Sequence, residues 1–405
     1  MMIGSTGILL CTGLLFSKLS RKVGLPDIIG MLLAGILIGP YVLNWLDPSF
    51  LNLSEDLRRI ALIIILIRAG FSLDLQVLKK VGRPAFLLSF LPASFEILAY
   101  TLIAPMVLPL SWLEAALLGT VMSAVSPAVV VPRMVALNER KTGTDKGIPS
   151  MLIAGASCDD VFVLVLFSAL LALLEGGSFH AADLMDIPVS ILCGCALGIF
   201  CGYILGKFLE WQKVHFGKAS TAERTILVFG MAFLLNSIEG VFKTWISVSG
   251  LLAILTMAAT MKNTLSEKEL NTIAKMTSNM WSAASIFLFV LVGAAIDISA
   301  LKDSGIHFAV LIALCLIIRS LGSWLCTAKT GLNIKERLFV VFAYLPKATI
   351  QAAIGSVPLS AGLACGPLIL ACAVSGIIIT APLGAILIDW SAKRWLNPSG
   401  SIQEK

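Results

Sequence analysis

Apolar runs of about 17 to 25 residues recur along this chain, parted by short polar or Gly/Pro-rich stretches, and that alternation predicts a bundle of membrane-crossing helices. The runs fall near residues 2–17, 25–40, 57–72, 84–109, 112–133, 149–174, 186–207, 223–239, 244–261, 276–297, 306–327, 336–358 and 364–389, about thirteen segments in all. The first run has no basic leading region, and its positive flank (Lys18, Arg21, Lys22) follows it, so it is expected to stay as a transmembrane helix.

Loop charge tests this division, because basic residues gather on the cytoplasmic side only if the crossings are counted correctly. Of the 30 Lys and Arg residues, 23 fall in the loops after odd-numbered segments or in the C-terminal tail. Only Arg58, Arg59, Lys243 and Lys302 fall on the other side, and Arg68, Arg319 and Lys347 lie within segments. An outside N-terminus and a cytoplasmic C-terminus are expected, in a multi-pass plasma (inner) membrane protein. A single linking helix between two six-helix blocks turns the second block over, which is the plan of an inverted-repeat transporter. The expected fold is therefore an all-α polytopic membrane protein with two inverted six-helix repeats.

Composition agrees. The chain is 58% hydrophobic and 13% charged, against about 25% charged in soluble domains. Its nine cysteines are scattered, almost all within apolar runs and without zinc or disulfide spacing, and read as packing residues. No soluble domain is expected, the tail being short. No metal cluster, nucleophile elbow or phosphate loop occurs, so neither an enzyme, a bound cofactor nor a nucleic-acid partner is expected.

Asp159 and Asp160 stand side by side in the sixth run. Each ionised carboxylate at a helix centre costs roughly 2.5 to 3.5 kcal/mol on insertion scales, and such residues mark ion and proton paths. Adjacent helical positions differ by about 100°, so the two face different surroundings. Close carboxylates resist simultaneous ionisation, and a site that takes up either a proton or a metal cation suffices for antiport. Na+ or Li+ suits oxygen ligands such as Asp160, Ser126, Ser157 and freed carbonyls. The other intramembrane charges are Glu96 in the fourth segment, Arg319 in the eleventh and Lys347 in the twelfth. Arg319 requires a buried anion, which Glu96 or Asp159 can supply. Lys347 is placed to neutralise a half-helix C-terminus.

The fifth segment of each block is interrupted, by Ser126-Pro127 and by Pro346. Proline removes a backbone donor and clashes with the preceding turn. A simple kink is the plain alternative for either one, but their matched positions favour paired unwound segments lining a site.

Three stretches carry a resemblance: Ala-Val-Ser-Pro-Ala-Val-Val-Val-Pro at 124–132, Gly-Ala-Ser-Cys-Asp-Asp at 155–160 and Leu-Pro-Lys-Ala-Thr-Ile-Gln-Ala-Ala-Ile-Gly-Ser at 345–356. They resemble the monovalent cation:proton antiporter superfamily, and within it the sodium/proton antiporter branch called NHA. The resemblance implies a sodium/proton antiporter fold whose discontinuous helices cross at their breaks. It implies a mobile core (84–174 and 301–390), dimerisation-side helices (1–83 and 223–300), a linker helix (175–222), a short tail (391–405) and a homodimer. It makes Asp160 the main ion and proton carrier and Asp159 its partner. Arg319 stands where double-aspartate bacterial members usually carry lysine. The aspartate pair points to electrogenic exchange, whereas a permanently charged Arg319 with Glu96 at hand leaves the stoichiometry open. A sodium-coupled organic-anion symporter of similar fold is the alternative, and a cation channel a more distant one.

Overall fold

A computed structural model describes residues 2–72, 82–175, 186–216, 220–242, 248–296 and 298–396. Every regular element among them is helical. His180, Lys243, Asp297, the residues after 396 and the side chain of Ser157 lie outside the described set. Nine of the described helical stretches, counting 83–107 and 112–139 as one each, are long and apolar enough to cross a membrane.

The chain divides into two compact units. The first comprises residues 1–50, 74–163 and 289–405, and the second residues 51–73 and 164–288. In the first unit, α1 (Met2–Lys22) packs on α2 (Asp27–Ile38), followed by the short α3 (Pro48–Asn52). Beyond α4 (Ser54–Ser72), which belongs to the second unit, come α5 (Arg83–Leu88) and α6 (Leu91–Val107). The sequence predicts one helix over 84–109. The break at Ser89–Phe90 arises because Pro92, in the first turn of α6, has no N–H to give to the turn before it.

Two further helices are broken, and both open in the same way. α7 (Trp112–Ser123) starts from a capping box in which Ser111 Oγ accepts from the Glu114 N–H and Glu114 Oε2 accepts from the Ser111 N–H. It stops where Ala124 and Ser126 turn extended ahead of Pro127, the first residue of α8 (Pro127–Glu139). Proline pushes its predecessor out of the helical region, which accounts for the stop. α15 (Ile334–Ala343) starts from an equivalent box, Asn333 with Glu336. It unwinds through Leu345, Pro346 and Lys347 before α16 (Thr349–Gly355) and the single turn α17 (Val357–Ser360).

Each broken helix is preceded by a long helix carrying one buried charge, Glu96 on α6 and Arg319 on α14 (Ile298–Cys326), and those two helices pack together. Each is also followed by a long helix, α9 (Ile148–Glu175) or α18 (Gly366–Trp395). Several helices outrun the apolar runs that predict them: α1 reaches Lys22 rather than residue 17, and α14 begins at Ile298 rather than 306. A helix satisfies its own backbone through the headgroup layer, so polar side chains at its ends do not terminate it.

In the second unit α10 (Asp186–Phe216) packs along α12 (Gly250–Thr264), beside α11 (Thr221–Phe242) and the first part of α13 (Glu267–Ala294). The contact follows a ladder of four glycines, Gly194, Gly198, Gly202 and Gly206, one per turn on a single face. A Cβ at any of them would collide with α12 or its N-cap: Ser249, Ala253, Met257 and Thr264 in turn. Small residues let helices approach closely where lipid supplies no hydrophobic drive. Gly202→Leu is expected to lower the melting temperature in detergent, at a cost of about 1 to 3 kcal/mol for overpacking. Gly230→Leu on α11, where nothing lies within 4 Å, serves as the control and should melt with the native chain.

Candidate functional site

The two unwound segments meet within the first unit, where a backbone hydrogen bond joins them. The Ser126 N–H donates to the Pro346 carbonyl at 2.8 Å. The Lys347 N–H donates to Thr380 Oγ1 of α18 at 3.0 Å. On α18, Gly384 leaves room for the Pro346 ring, which a Cβ there would strike.

Three carbonyls freed at the end of α7 are taken by side chains. Met122 O accepts from Lys347 Nζ, Ser123 O from Arg319 Nη1, and Ala124 O from Gln351 Nε2 at 2.8 Å. At the end of α15, Tyr344 O accepts from Arg319 Nε at 2.7 Å, and the guanidinium lies 5.6 Å from the centre of the Tyr344 ring. A helix C-terminus carries roughly half a negative charge, so two cations at these ends are well placed.

Three carboxylates share the region. Glu96 Oε2 accepts from both Arg319 Nη1 and Lys347 Nζ, each at 2.8 Å, and its Oε1 lies 2.7 Å from Lys347 Nζ. Asp159 Oδ2 accepts from the Val125 N–H at 2.8 Å and lies 3.5 Å from Arg319 Nη2. Arg319 therefore meets both anions that the sequence offers it, Glu96 at the shorter distance. Asp160 has no cationic partner among the described residues, and its Oδ1 is buried without a hydrogen bond. Glu96, Asp159, Arg319 and Lys347 are fully buried, whereas Asp160 keeps 7% of its surface accessible.

Two cations thus balance two carboxylates, and the third carboxylate is left over. An uncompensated carboxylate in such surroundings is costly unless a proton or a metal cation neutralises it. The Oγ of Ser126, Oδ1 of Asp159 and Oε1 of Gln351 are likewise buried with no hydrogen-bond partner. The region therefore offers unpartnered carboxylate and amide oxygens, beside the free hydroxyls of Ser126 and Tyr344, and such oxygens suit hard cations.

Gln351, Thr380 and Tyr344 join the predicted set. Gln351 lies within the third quoted motif, and a long amide in an apolar run was its signal. Thr380 left none, since membrane threonines commonly bond their own helix, as Thr101 does to Ile97 O. Gln351→Leu strands the buried Ala124 carbonyl, and is expected to cost about 1 to 3 kcal/mol, read as a lower melting temperature of purified protein.

Residues 7–394 match the family described as sodium/hydrogen exchanger, transmembrane. Sodium/hydrogen exchanger 9B2 of Homo sapiens is 35% identical over 394 residues, covering 94% of this chain and 71% of the relative. Sodium/hydrogen exchanger 9B1 of Homo sapiens is 32% identical over 376 residues, covering 90% and 71%. The structure of the sodium proton antiporter MjNhaP1 from Methanocaldococcus jannaschii superposes with a TM-score of 0.80 at 23% identity, over 97% of this chain and 98% of that one, which shows a common fold. The resemblance carried by the three motifs is borne out. Matched from its first helix to its last, the chain belongs to the sodium/hydrogen exchanger family.

Proposed function

We propose that the protein exchanges Na+ (or Li+) for H+ by alternating access, with the two ions competing at the Asp159–Asp160 pair. The names of its relatives support cation/proton antiport. The observation that carries the finer reading is the lone unbalanced carboxylate, Asp160, in the region where the two helix breaks are joined by the Ser126–Pro346 hydrogen bond. Asp160 holds the transported ion and Asp159 supports it from the Val125 side. Glu96, Arg319 and Lys347 keep the breaks neutral, and Ser126 offers a further oxygen. The core segments 84–174 and 301–390 move against 1–83 and 223–300, joined by the linker at 175–222. The positive loops support a cytoplasmic C-terminus in a plasma membrane. Thirteen crossings and a homodimer complete the proposal.

The test is proton flux in liposomes containing the purified chain, followed with a pH-sensitive dye on adding Na+. Alkalinisation or acidification opposite to the Na+ gradient is expected. Sodium-driven uptake of an organic anion with no proton movement would favour the symporter instead. Competition also fixes a pH dependence. As pH falls, a proton occupies the carboxylate that Na+ requires, so the apparent affinity for Na+ weakens. With one competing proton the half-saturating Na+ concentration rises by at most about tenfold per pH unit. A steeper slope requires a second proton, and a flat line across the active range would end the competition model.

A further inference from the structure

At the other end of α8 from the helix break, a cavity of about 490 Å³ opens between α8 and the last turns of α18. Leu137, Ile388 and Leu396 give it an apolar wall, and Arg133, Arg140 and Lys393 supply its charge. Arg133 is anchored, through Nε to Asp389 Oδ1 at 3.1 Å and through Nη1 to Val129 O at 3.0 Å. Arg140 and Lys393 have no acidic partner among the described residues, and both are exposed. Against two unpaired cations and one paired arginine, Asp389 is the one acid in the lining.

Helix C-termini favour basic residues, but that preference needs no cavity and no apolar wall. Beside the cavity an aromatic group gathers at the end of α18: Trp390 and Trp395 meet edge to face at 5.1 Å, Phe342 stacks on Trp395 at 5.5 Å, and Arg394 covers Trp390 at 4.8 Å. Tryptophans with arginines at helix ends mark the headgroup level of a bilayer. A basic pocket between helices at that level suits lipid phosphate, while the wall suits the upper part of an acyl chain.

We propose that this cavity binds a phosphate-bearing anionic lipid, its phosphate between Arg140 and Lys393 and its first chain methylenes along Leu137, Ile388 and Leu396. Such a lipid ties α8, the half-helix whose first turn begins at Ser126, to α18, which holds Lys347 through Thr380. The site is separate from the ion pair residues and stands whether or not the exchange reaction is as proposed.

The test is native mass spectrometry of the full chain, with phosphatidylglycerol and phosphatidylcholine of the same chain length offered in detergent. Preferential retention of phosphatidylglycerol is expected. Arg140→Gln with Lys393→Gln should weaken that retention by about 30-fold, as two interfacial charges are lost. Arg140→Lys with Lys393→Arg preserves both charges and should retain the lipid, which separates loss of charge from misfolding. Inorganic phosphate and glycerol phosphate, lacking chains, should not compete at equal concentration. Equal retention of both lipids, equal retention by the Gln pair, loss in the charge-preserving pair, or full competition by free phosphate would each overturn the proposal.

Discussion

Asp160→Asn is expected to reduce Na+-driven proton flux in liposomes to the level of protein-free vesicles while the chain still folds. Of the three carboxylates it alone lacks a cation, and it alone keeps accessible surface. Asparagine fills the same volume but neither ionises nor releases a proton, so both halves of the exchange lose their carrier. Removing one charge of a buried ion pair costs about 3 to 5 kcal/mol, and a Na+ held by a neutral amide loses affinity by a corresponding factor of roughly a hundred or more. Folding should be unharmed, because no cation is orphaned by the change. Robust exchange by this variant at native expression would sink the assignment. Asp159→Asn is a different experiment: the amide oxygen can still accept from Val125, but Arg319 loses one of its two anions.

Glu96→Leu is expected to do the reverse, acting on stability first. Glu96 is the one carboxylate that contacts both Arg319 and Lys347, and all three are fully buried. Its loss leaves two cations facing Asp159 alone, and an uncompensated buried charge costs about 3 to 5 kcal/mol. Low yield and a markedly lower melting temperature follow. A compensating change gives the sharper check: Glu96→Leu combined with Lys347→Met restores one cation to one anion, and should recover part of the lost stability. Residues sharing one network couple by about 0.5 to 3 kcal/mol. Additive losses in the double variant would show that the three side chains do not act as a unit.

Much of this site can be read from the chain because it breaks membrane rules locally. Adjacent aspartates in an apolar run, prolines in the middle of two crossings and a buried arginine are each costly alone, and each is found in the region where the breaks meet. Which anion Arg319 chooses is not legible, because the register between helices far apart in sequence sets it; the guanidinium fork reaches both. Gln351 stands out as a long amide in an apolar run, whereas Thr380 bridges between segments yet looks no different in sequence from Ser320, which bonds its own helix at Leu316 O. The glycines at 194, 198, 202 and 206 repeat visibly, but that α12 is what they admit is a tertiary fact. Capping boxes at Ser111 and Asn333 are the converse, a short local pattern that marks where α7 and α15 start, though not where either breaks.

The pairing of two cations with Glu96 and Asp159 has an electrical consequence. Those four groups sum to zero while they keep their charges, and Asp160 is neutral whether it holds a proton or a monovalent cation. A loaded site so built carries no net charge, so a transmembrane voltage does no work on it in either direction. One elementary charge moved through 100 mV would exchange about 2.3 kcal/mol with the field, an easily measured acceleration or slowing of turnover. In the exchange proposed here, with one proton and one cation alternating at Asp160, turnover is expected to be independent of voltage, and a measured voltage dependence would require a further group that changes its protonation as the ions are swapped.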